Sequence, residues 1–377
     1  MTFQRPKGIR TWLEIDSKVV EKNLKVFRSI IPESVKIMAV VKSNAYGHGL
    51  WDFSKMIKDK VDWLAVDSVV EALALRREGI DNPILVLGYT LPEMLEEAVK
   101  NNISITVSSF EYFKHFKKFQ YKLKIHIKVD TGMHRHGFMI NDMQRVLFEI
   151  AKCKDKIQVE GLFTHFAMAK NPALASDTKK QISLFSEWRN AFAKANFNPL
   201  CHACATGGTL LFSEAHFDMV RIGIGLYGIW PAKETMSFLK GEIKLEPVMS
   251  WKSLIAETKI VPAGDRIGYD FTEKFDKDTK VAMIPIGYWH GYPRALSGIG
   301  RIYVGGVSCK VLGRVCMDII MIDVTEVKKL EVGQEVEIMS REISYDNSGA
   351  NLADLAGTTT YEFLTRINPL IKRIYKS

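Results

Sequence analysis

Several short stretches of the chain carry residue types that could do chemistry. VVKSNAYGHG places Lys42 at the end of an apolar run, followed by Asn44, Tyr46 and two glycines. Partial desolvation lowers a lysine pKa, and the free amine can then form a Schiff base. Read alone, Lys42 fits a side chain snorkelling to solvent better than a nucleophile. KVDTGMHRHGF sets Lys128 and Asp130 two apart, with Arg135 beyond a glycine turn. Arginine can grip a carboxylate or phenolate with both arms of its fork, and a surface-loop arginine is an equal alternative. VEGLFTHF ends in Thr164 and His165, and a lone histidine in such a place is more often a packed ring than a catalyst. CHACATGGTL and MVRIGIGLYG offer the Thr206 hydroxyl and the glycines at 207, 208, 223 and 225, whose backbone N–H groups could meet an anion, although glycines also mark tight turns. Arg221 lies inside the second of these.

The elements that would position these residues alternate. From Asp16 onward Val20, Leu24, Phe27 and Ile31 recur at helical spacing up to Pro32, with Asp16 or Ser17 as N-cap. KIMAVV and DWLAVD read as buried strands; SVVEALALRREG reads as a helix with a Ser68/Glu71 capping box and a Gly79 stop. ILVLG, a helix over 92–100, SITV, KIHIKVD, VEGLFTH, LCHACAT and DMVRIGIGLYG continue the rhythm. Eight βα units before about residue 240 predict a (β/α)8 barrel of the TIM type rather than a doubly wound sheet, because GxGxxG is missing after the first strand. Reactive residues then collect at the C-terminal strand ends, and phosphate sites after the seventh and eighth strands, where the two glycine-rich loops fall. Beyond about Lys240 the pattern becomes strand-like with little helix: PVMSWKSLIAETKIV, KVAMIPIGY, RIYVGGVSCKVLGRVCMDIIMIDVT and QEVEIMS. A short helix over 351–356 and a basic tail, LIKRIYKS, complete a mainly-β C-terminal domain.

Bulk properties exclude other classes. The 377 residues exceed a usual single domain, and 47% hydrophobic with 25% charged residues is an ordinary globular balance without membrane spans. The net charge of +9 comes from 52 basic residues dispersed among 43 acids, which argues against a nucleic-acid surface. Five cysteines make no disulfide framework and point to a reducing compartment. Cys201 and Cys204 form one CxxC without a second pair, so no metal site is expected. The N-terminus lacks an apolar signal core, which makes the cytoplasm the default location.

VVKSNAYGHG, KVDTGMHRHGF, FTHF, MVRIGIGLYG, IPIGYWHGYPR, GRVCMD and TTTYEFLTRINPL together resemble the alanine racemase family in order and spacing, over nearly the whole chain. The resemblance implies a pyridoxal-phosphate barrel at 12–243 and a β domain at 244–377, joined by an N-terminal strand within 1–11, working as a head-to-tail homodimer with shared active sites. It further implies racemisation of a small amino acid, L-alanine to D-alanine for the bacterial cell wall, by two bases. Lys42 matches the Schiff-base lysine. Tyr269 matches the base on the opposite face, reaching in from the partner subunit. Arg221 matches the arginine that pairs with the pyridine nitrogen, and His165 supports it. Tyr46, Thr206, Gly223, Ile224 and Tyr361 match the phosphate-binding set. Arg135 and Met317 match residues that meet the substrate carboxylate, Met317 coming from the partner chain. Lys128 matches a lysine often carried as a carbamate that positions this arginine. Tyr288, with Tyr361, narrows the site toward small side chains, and Asp318 of GRVCMD is a supporting residue.

Some positions depart from the family pattern. Ala205-Thr206 stands where Asn-Ser is common, His290 where an aspartate is usual, His136 where an aliphatic is common, and Asp270 where glycine usually follows the tyrosine. Serine as substrate and a barrel-type decarboxylase are the alternatives among enzymes, and Tyr269 with Arg221 speaks against the decarboxylase. A non-catalytic cofactor-binding barrel is the alternative outside them, disfavoured by the presence of the β domain.

Overall fold

The computed structural model describes residues 7–116 and 119–376, so positions 1–6 of the expected N-terminal strand lie outside the described residues. The chain divides into two compact units. One comprises Glu21–Ala45 and Leu50–Leu245; the other comprises residues up to Val20, Tyr46–Gly49 and residues from Glu246 on.

The first unit holds eight parallel strands: β2 (Lys36–Val40), β3 (Trp63–Val66), β4 (Ile84–Val86), β5 (Ile103–Val107), β6 (Leu123–Lys128), β7 (Ile157–Phe163), β8 (Leu200–His202) and β9 (Met219–Ile222). Each pairs with its sequence neighbour from β2 to β8, and β9 pairs with β2. Backbone bonds from Asp218 N–H to Cys201 O (3.0 Å) and from Arg221 N–H to Cys204 O (2.9 Å) bring β9 beside β8, which leaves the barrel nearly closed. Every residue of β3, β4, β5 and β9 is buried, as expected for strands covered on both faces. Helix Ser17–Ile30 starts where Asp16 Oδ1 accepts from Val19 N–H at 3.1 Å. At Val69–Arg77 the Ser68 hydroxyl accepts from Glu71 N–H as expected, but the Glu71 carboxylate turns elsewhere.

It turns to the residue after Lys42. β2 runs straight into Lys42, and Ser43, Asn44, Ala45 and Tyr46 all have φ between 50° and 57°. This is a left-handed turn built from L-residues, costing roughly 1–2 kcal/mol for each. Two contacts within the barrel unit hold it. Ser43 N–H donates to Glu71 Oε1 (2.7 Å) while Asp67 N–H donates to Oε2 (2.8 Å), and Asn44 Oδ1 accepts from Leu50 N–H (2.9 Å). One carboxylate thus ties the ends of β2 and β3 together.

The second unit is a nine-stranded sheet. Its members are β1 (Thr11–Asp16), β10 (Met249–Leu254), β11 (Glu257–Val261), β14 (Thr279–Ile284), β15 (Arg301–Val304), β16 (Val307–Leu312), β17 (Ile320–Asp323), β18 (Glu335–Met339) and β19 (Lys372–Lys376); β12 (Arg266–Ile267) and β13 (Glu273–Lys274) form a separate ribbon. β1 lies between β10, antiparallel, and β19, parallel. Two expectations change here. Residues 12–16, assigned to the barrel segment, pair in this sheet, because TWLEID buries Trp12, Leu13 and Ile15 against it. The basic tail is a paired strand, its charges at the sheet's last position and Arg373 turned inward to donate to the carbonyls of Gly47, Asn368 and Ile371.

Two substitutions test this packing. A Cβ at Gly225 would stand 2.4 Å from the Phe27 ring and 2.8 Å from Thr206 Cγ2. Gly225→Ala should therefore cost about 1–3 kcal/mol, read as a lower urea midpoint; an unchanged midpoint means the Phe27 ring yields freely. Glu71→Ala should cost about 1–3 kcal/mol by leaving two amides unpaired, and hydrogen exchange at Ser43 and Asp67 should accelerate together.

Candidate active site

At the C-terminal ends of the barrel strands the cationic side chains gather. Lys42 Nζ lies 2.9 Å from Asp67 Oδ1, with a third of its side chain open to solvent. Of the two readings of Lys42, the side chain reaching solvent rather than the desolvated amine is the arrangement found, with a carboxylate at the end of β3 paired to it. The desolvated lysine is Lys128, at the end of β6. Burial and the positive fields of Arg221 and Arg135 push its amine down to about 7, and its ammonium lies over the Phe163 ring at 5.2 Å.

Arg221, 3% exposed, is the most constrained cation. Its Nη1 donates to His202 Nδ1 (2.8 Å) and His202 O (3.1 Å); its Nη2 donates to Thr164 O (2.8 Å), Ala203 O (2.8 Å) and His165 Nδ1 (3.2 Å). All of these acceptors are neutral. Burial brings the guanidinium down to about 10, so it stays charged at neutral pH. Burial and the surrounding cations Arg221, Lys128, Arg135 and Lys42 hold His165 well below the usual imidazole range. His165 is therefore a neutral acceptor, and it stands beside Arg221.

Arg135 sits on an exposed loop whose base is fixed by Asp130, Oδ1 of which accepts from Gly132, Met133 and His134 N–H at 2.8, 3.0 and 3.1 Å. His136, next to it, is brought down to about 4 by burial and by Lys128 and Arg135, and so stays neutral. On the other side of the barrel mouth the buried Thr206 hydroxyl accepts from Gly223 N–H and Gly225 N–H, both at 3.3 Å. The Thr206 hydroxyl thus ties Gly223 and Gly225 together, with Ile224 between them. Ala205, at the departure from Asn-Ser, contributes only its carbonyl, to Thr209. The CxxC thiols are buried and pushed up to about 11 at Cys201 and about 12 at Cys204, unsuited to thiolate chemistry.

The β unit holds the remaining residues. Tyr46 and Tyr361 face each other with ring centroids 6.1 Å apart, and burial pushes the Tyr361 hydroxyl above its usual range. Gly47, next to Tyr46, is needed because a Cβ there would meet Leu364 O at 2.2 Å. Tyr269 follows Gly268 (φ 74°) on a turn where Asp270 is also left-handed (φ 62°) and pairs with Arg314 at 3.3 Å. The loops of Tyr288 and Met317 are joined by Tyr288 N–H to Cys316 O and Trp289 N–H to Met317 O, each 3.0 Å. His290 Nδ1 lies 3.8 Å from Asp318 Oδ1, and burial lowers its pKa.

Several residues escaped the sequence reading. Asp67 and Glu71 hold Lys42 and its turn, and their signal was a carboxylate at a strand end followed by one a helical turn later. His202, which lies inside the CxxC, is the closest side-chain partner of Arg221, and its signal was position: the last residue of a barrel strand.

The residues fit a phosphorylated, ring-nitrogen cofactor. Arg221 is a fixed charged donor with neutral partners, the Thr206 hydroxyl, which accepts from Gly223 and Gly225 N–H, keeps its own O–H as an uncharged donor to an anion, and Lys42 supplies an amine at the strand end. A match to the alanine racemase N-terminal domain covers residues 15–231, and one to the alanine racemase C-terminal domain covers 248–375. The chain is 37% identical over 373 residues to an alanine racemase of Clostridium perfringens, across 97% of this chain and 95% of that one. It is also 37% identical to an alanine racemase of Methanococcus maripaludis, across 97% and 98%. Among solved structures, the alanine racemase of Bacillus anthracis with bound L-Ala-P superposes with a TM-score of 0.92 at 33% identity, over 99% of this chain and 96% of that one. The protein is a member of the alanine racemase family of pyridoxal-phosphate-dependent isomerases.

Proposed function

We propose that this racemase interconverts L-alanine and D-alanine with Lys42 and Tyr269 as its two bases, on opposite faces of the substrate. The observation that carries the reading is the convergence of Lys42, Arg135 and Arg221, with the Lys128 amine among them, on the neutral His165. Such a mouth favours an anionic cofactor and an amino-acid carboxylate. When bound, pyridoxal phosphate supplies a conjugated acceptor for the electron pair left at Cα.

The chain's own residues do the rest. Lys42 anchors the cofactor covalently and moves a proton at its Nζ, with Asp67 Oδ1 at 2.9 Å as a local carboxylate partner. Arg221 would hold the ring nitrogen with a donor that keeps its proton, since burial brings its guanidinium down only to about 10, and a proton kept on the guanidinium would disfavour the side reactions that a protonated ring nitrogen permits. Thr206, Gly223 and Ile224, with the hydroxyls of Tyr46 and Tyr361, hold the phosphate. Arg135 and Met317 orient the carboxylate, and Tyr288 with Tyr361 restricts the side chain to one the size of alanine. His165 supports Arg221, and Asp318 supports the Met317 loop.

Tyr269 and Met317 act on a second copy in a homodimer. What supports this is their exposure, 70% and 54%, in company with exposed Phe271, Tyr288 and Trp289 on the same unit. Aromatic surface of this kind is characteristically covered by a partner. The five cysteines, none of them in a disulfide, agree with a reducing, cytoplasmic setting.

In deuterated water the purified protein should convert L-alanine to D-alanine with deuterium at Cα, and borohydride should fix the cofactor on Lys42. Tyr269→Phe should reduce exchange from L-alanine about 100-fold or more with cofactor affinity kept. No exchange in the cofactor-loaded protein overturns the racemase reading. The Lys128 amine, at about 7, is available to carbon dioxide at neutral pH, and we assign it a carbamate that positions Arg135. Protein equilibrated with 13C-bicarbonate should show a carbamate carbon that grows as pH rises through 7 and is lost below it; Lys128→Arg should lack the signal.

A further inference from the structure

Arg221 is the first member of a longer polar chain. His202 Nδ1 accepts from Arg221 Nη1 at 2.8 Å, and the other nitrogen, Nε2, lies 2.9 Å from His126 Nδ1. His126 Nε2 faces Glu160 Oε2 at 3.6 Å, long for a hydrogen bond, and makes none. Glu160 Oε2 accepts from the Ser104 hydroxyl at 2.5 Å, and Oε1 lies 3.7 Å from Lys124 Nζ. The chain crosses the barrel interior through β9, β8, β6, β7 and β5, and both imidazoles are fully buried.

Its polarity is forced. Arginine only donates, so His202 Nδ1 must accept. A neutral imidazole has one N–H, which on His202 is then Nε2–H, donated to His126 Nδ1. His126 in turn carries its proton on Nε2, aimed at the carboxylate. The neutral state of both rings follows from burial and the nearby guanidinium, which hold their pKa values down.

The backbone is shaped around this chain. Opposite β6, β7 carries a bulge: Ile125 pairs with Val159 and His126 with Gly161, leaving Glu160 as the extra residue. A bulge re-aims the side chain it displaces. At Gly161 a Cβ would lie 2.0 Å from His126 Nδ1, so only glycine admits the ring. His202 stacks on Phe163 at 4.8 Å with the planes 4° apart, and Trp63 meets the His126 ring edge-on at 5.3 Å.

We propose that His202, His126 and Glu160 are positioning residues for Arg221: a chain of fixed direction, hydrogen-bonded from the guanidinium through His202 to His126, pins the guanidinium as a donor and aims its last N–H at the Glu160 carboxylate, 3.6 Å away, which answers its charge. This rests on the reading of Arg221 as the partner of the cofactor ring, but the chain itself can be read without it.

Long-range 1H–15N spectra of histidine-labelled, cofactor-loaded protein should show His126 and His202 both neutral with the proton on Nε2. Either ring carrying its proton on Nδ1 overturns the proposal. Glu160→Gln keeps the volume and an acceptor for Ser104 but removes the charge. It should shift the His202 resonances, two links away, and lower kcat about tenfold, the scale of losing a group that orients a functional side chain, with KM for alanine changed less than about twofold. A folded Glu160→Gln protein with His202 resonances and kcat as in the parent makes the chain mere filling and overturns the proposal. Gly161→Ala should displace the His126 ring and lower kcat likewise. Were the racemase reading itself wrong, wild-type spectra would still report the tautomers while no exchange of Cα hydrogen would be seen at all.

Discussion

A guanidinium buried in the middle of a parallel barrel is the constraint around which this structure is arranged. Removing a cation from water is expensive unless its donors are all taken up and opposite charge lies within reach. Arg221 meets the first condition at Nη1 and Nη2, whose donors go to three backbone carbonyls and two imidazoles at the ends of β7 and β8. No carboxylate stands among them. Neutral partners leave the full positive charge to be felt at the barrel mouth, where, after burial, it helps bring the Lys128 amine down to about 7. The same field makes the mouth a place for anions. A direct carboxylate partner would have stabilised the arginine and removed that field.

Lys42 faces the opposite problem, that of being held at the end of a strand in a backbone conformation L-residues avoid. Four consecutive left-handed residues would relax if released. Glu71 and Asn44 fasten the turn within the barrel unit, and Arg373 fastens Gly47 within the β unit. The strain is thus carried by side chains other than that of Lys42. It buys an abrupt change of direction directly after the lysine, which a right-handed helix starting there would not give.

Sequence made the barrel legible because its strands are short runs buried on both faces, and KIMAV, WLAV and MVRI look like nothing else. The C-terminal unit was legible as β but not in its pairing: RIYVGGVSCKVLGRVCMDIIMIDVT hides three strands, and nothing local says that TWLEID belongs beside KRIYK, some 360 residues away. At the site, residue types picked out Lys42, Arg135, Arg221 and Thr206, since each lies at a strand end or in a glycine-rich loop. What could not be read was environment. The residues around Lys42 allow either a desolvated or a solvent-reaching amine and mark Lys128 as an accessory, yet Asp67 pairs with the first and burial takes the second. A carboxylate at the end of another strand changes the answer, and only the folded chain brings it near.

The same reason hid the histidines. His126 and His202 occupy inward positions on strands, where a ring is ordinarily filling. What distinguishes them is the neighbour each was given: a glycine at 161 without which the ring could not enter, and a bulge at 160 that turns an acid inward. Both are backbone devices, costing strand regularity and side-chain packing, and neither is needed to close a barrel. They are explained if the charge of Arg221 must be answered at a distance, through neutral links, so that the guanidinium stays uncompensated where the ring nitrogen would meet it and compensated where nothing reacts.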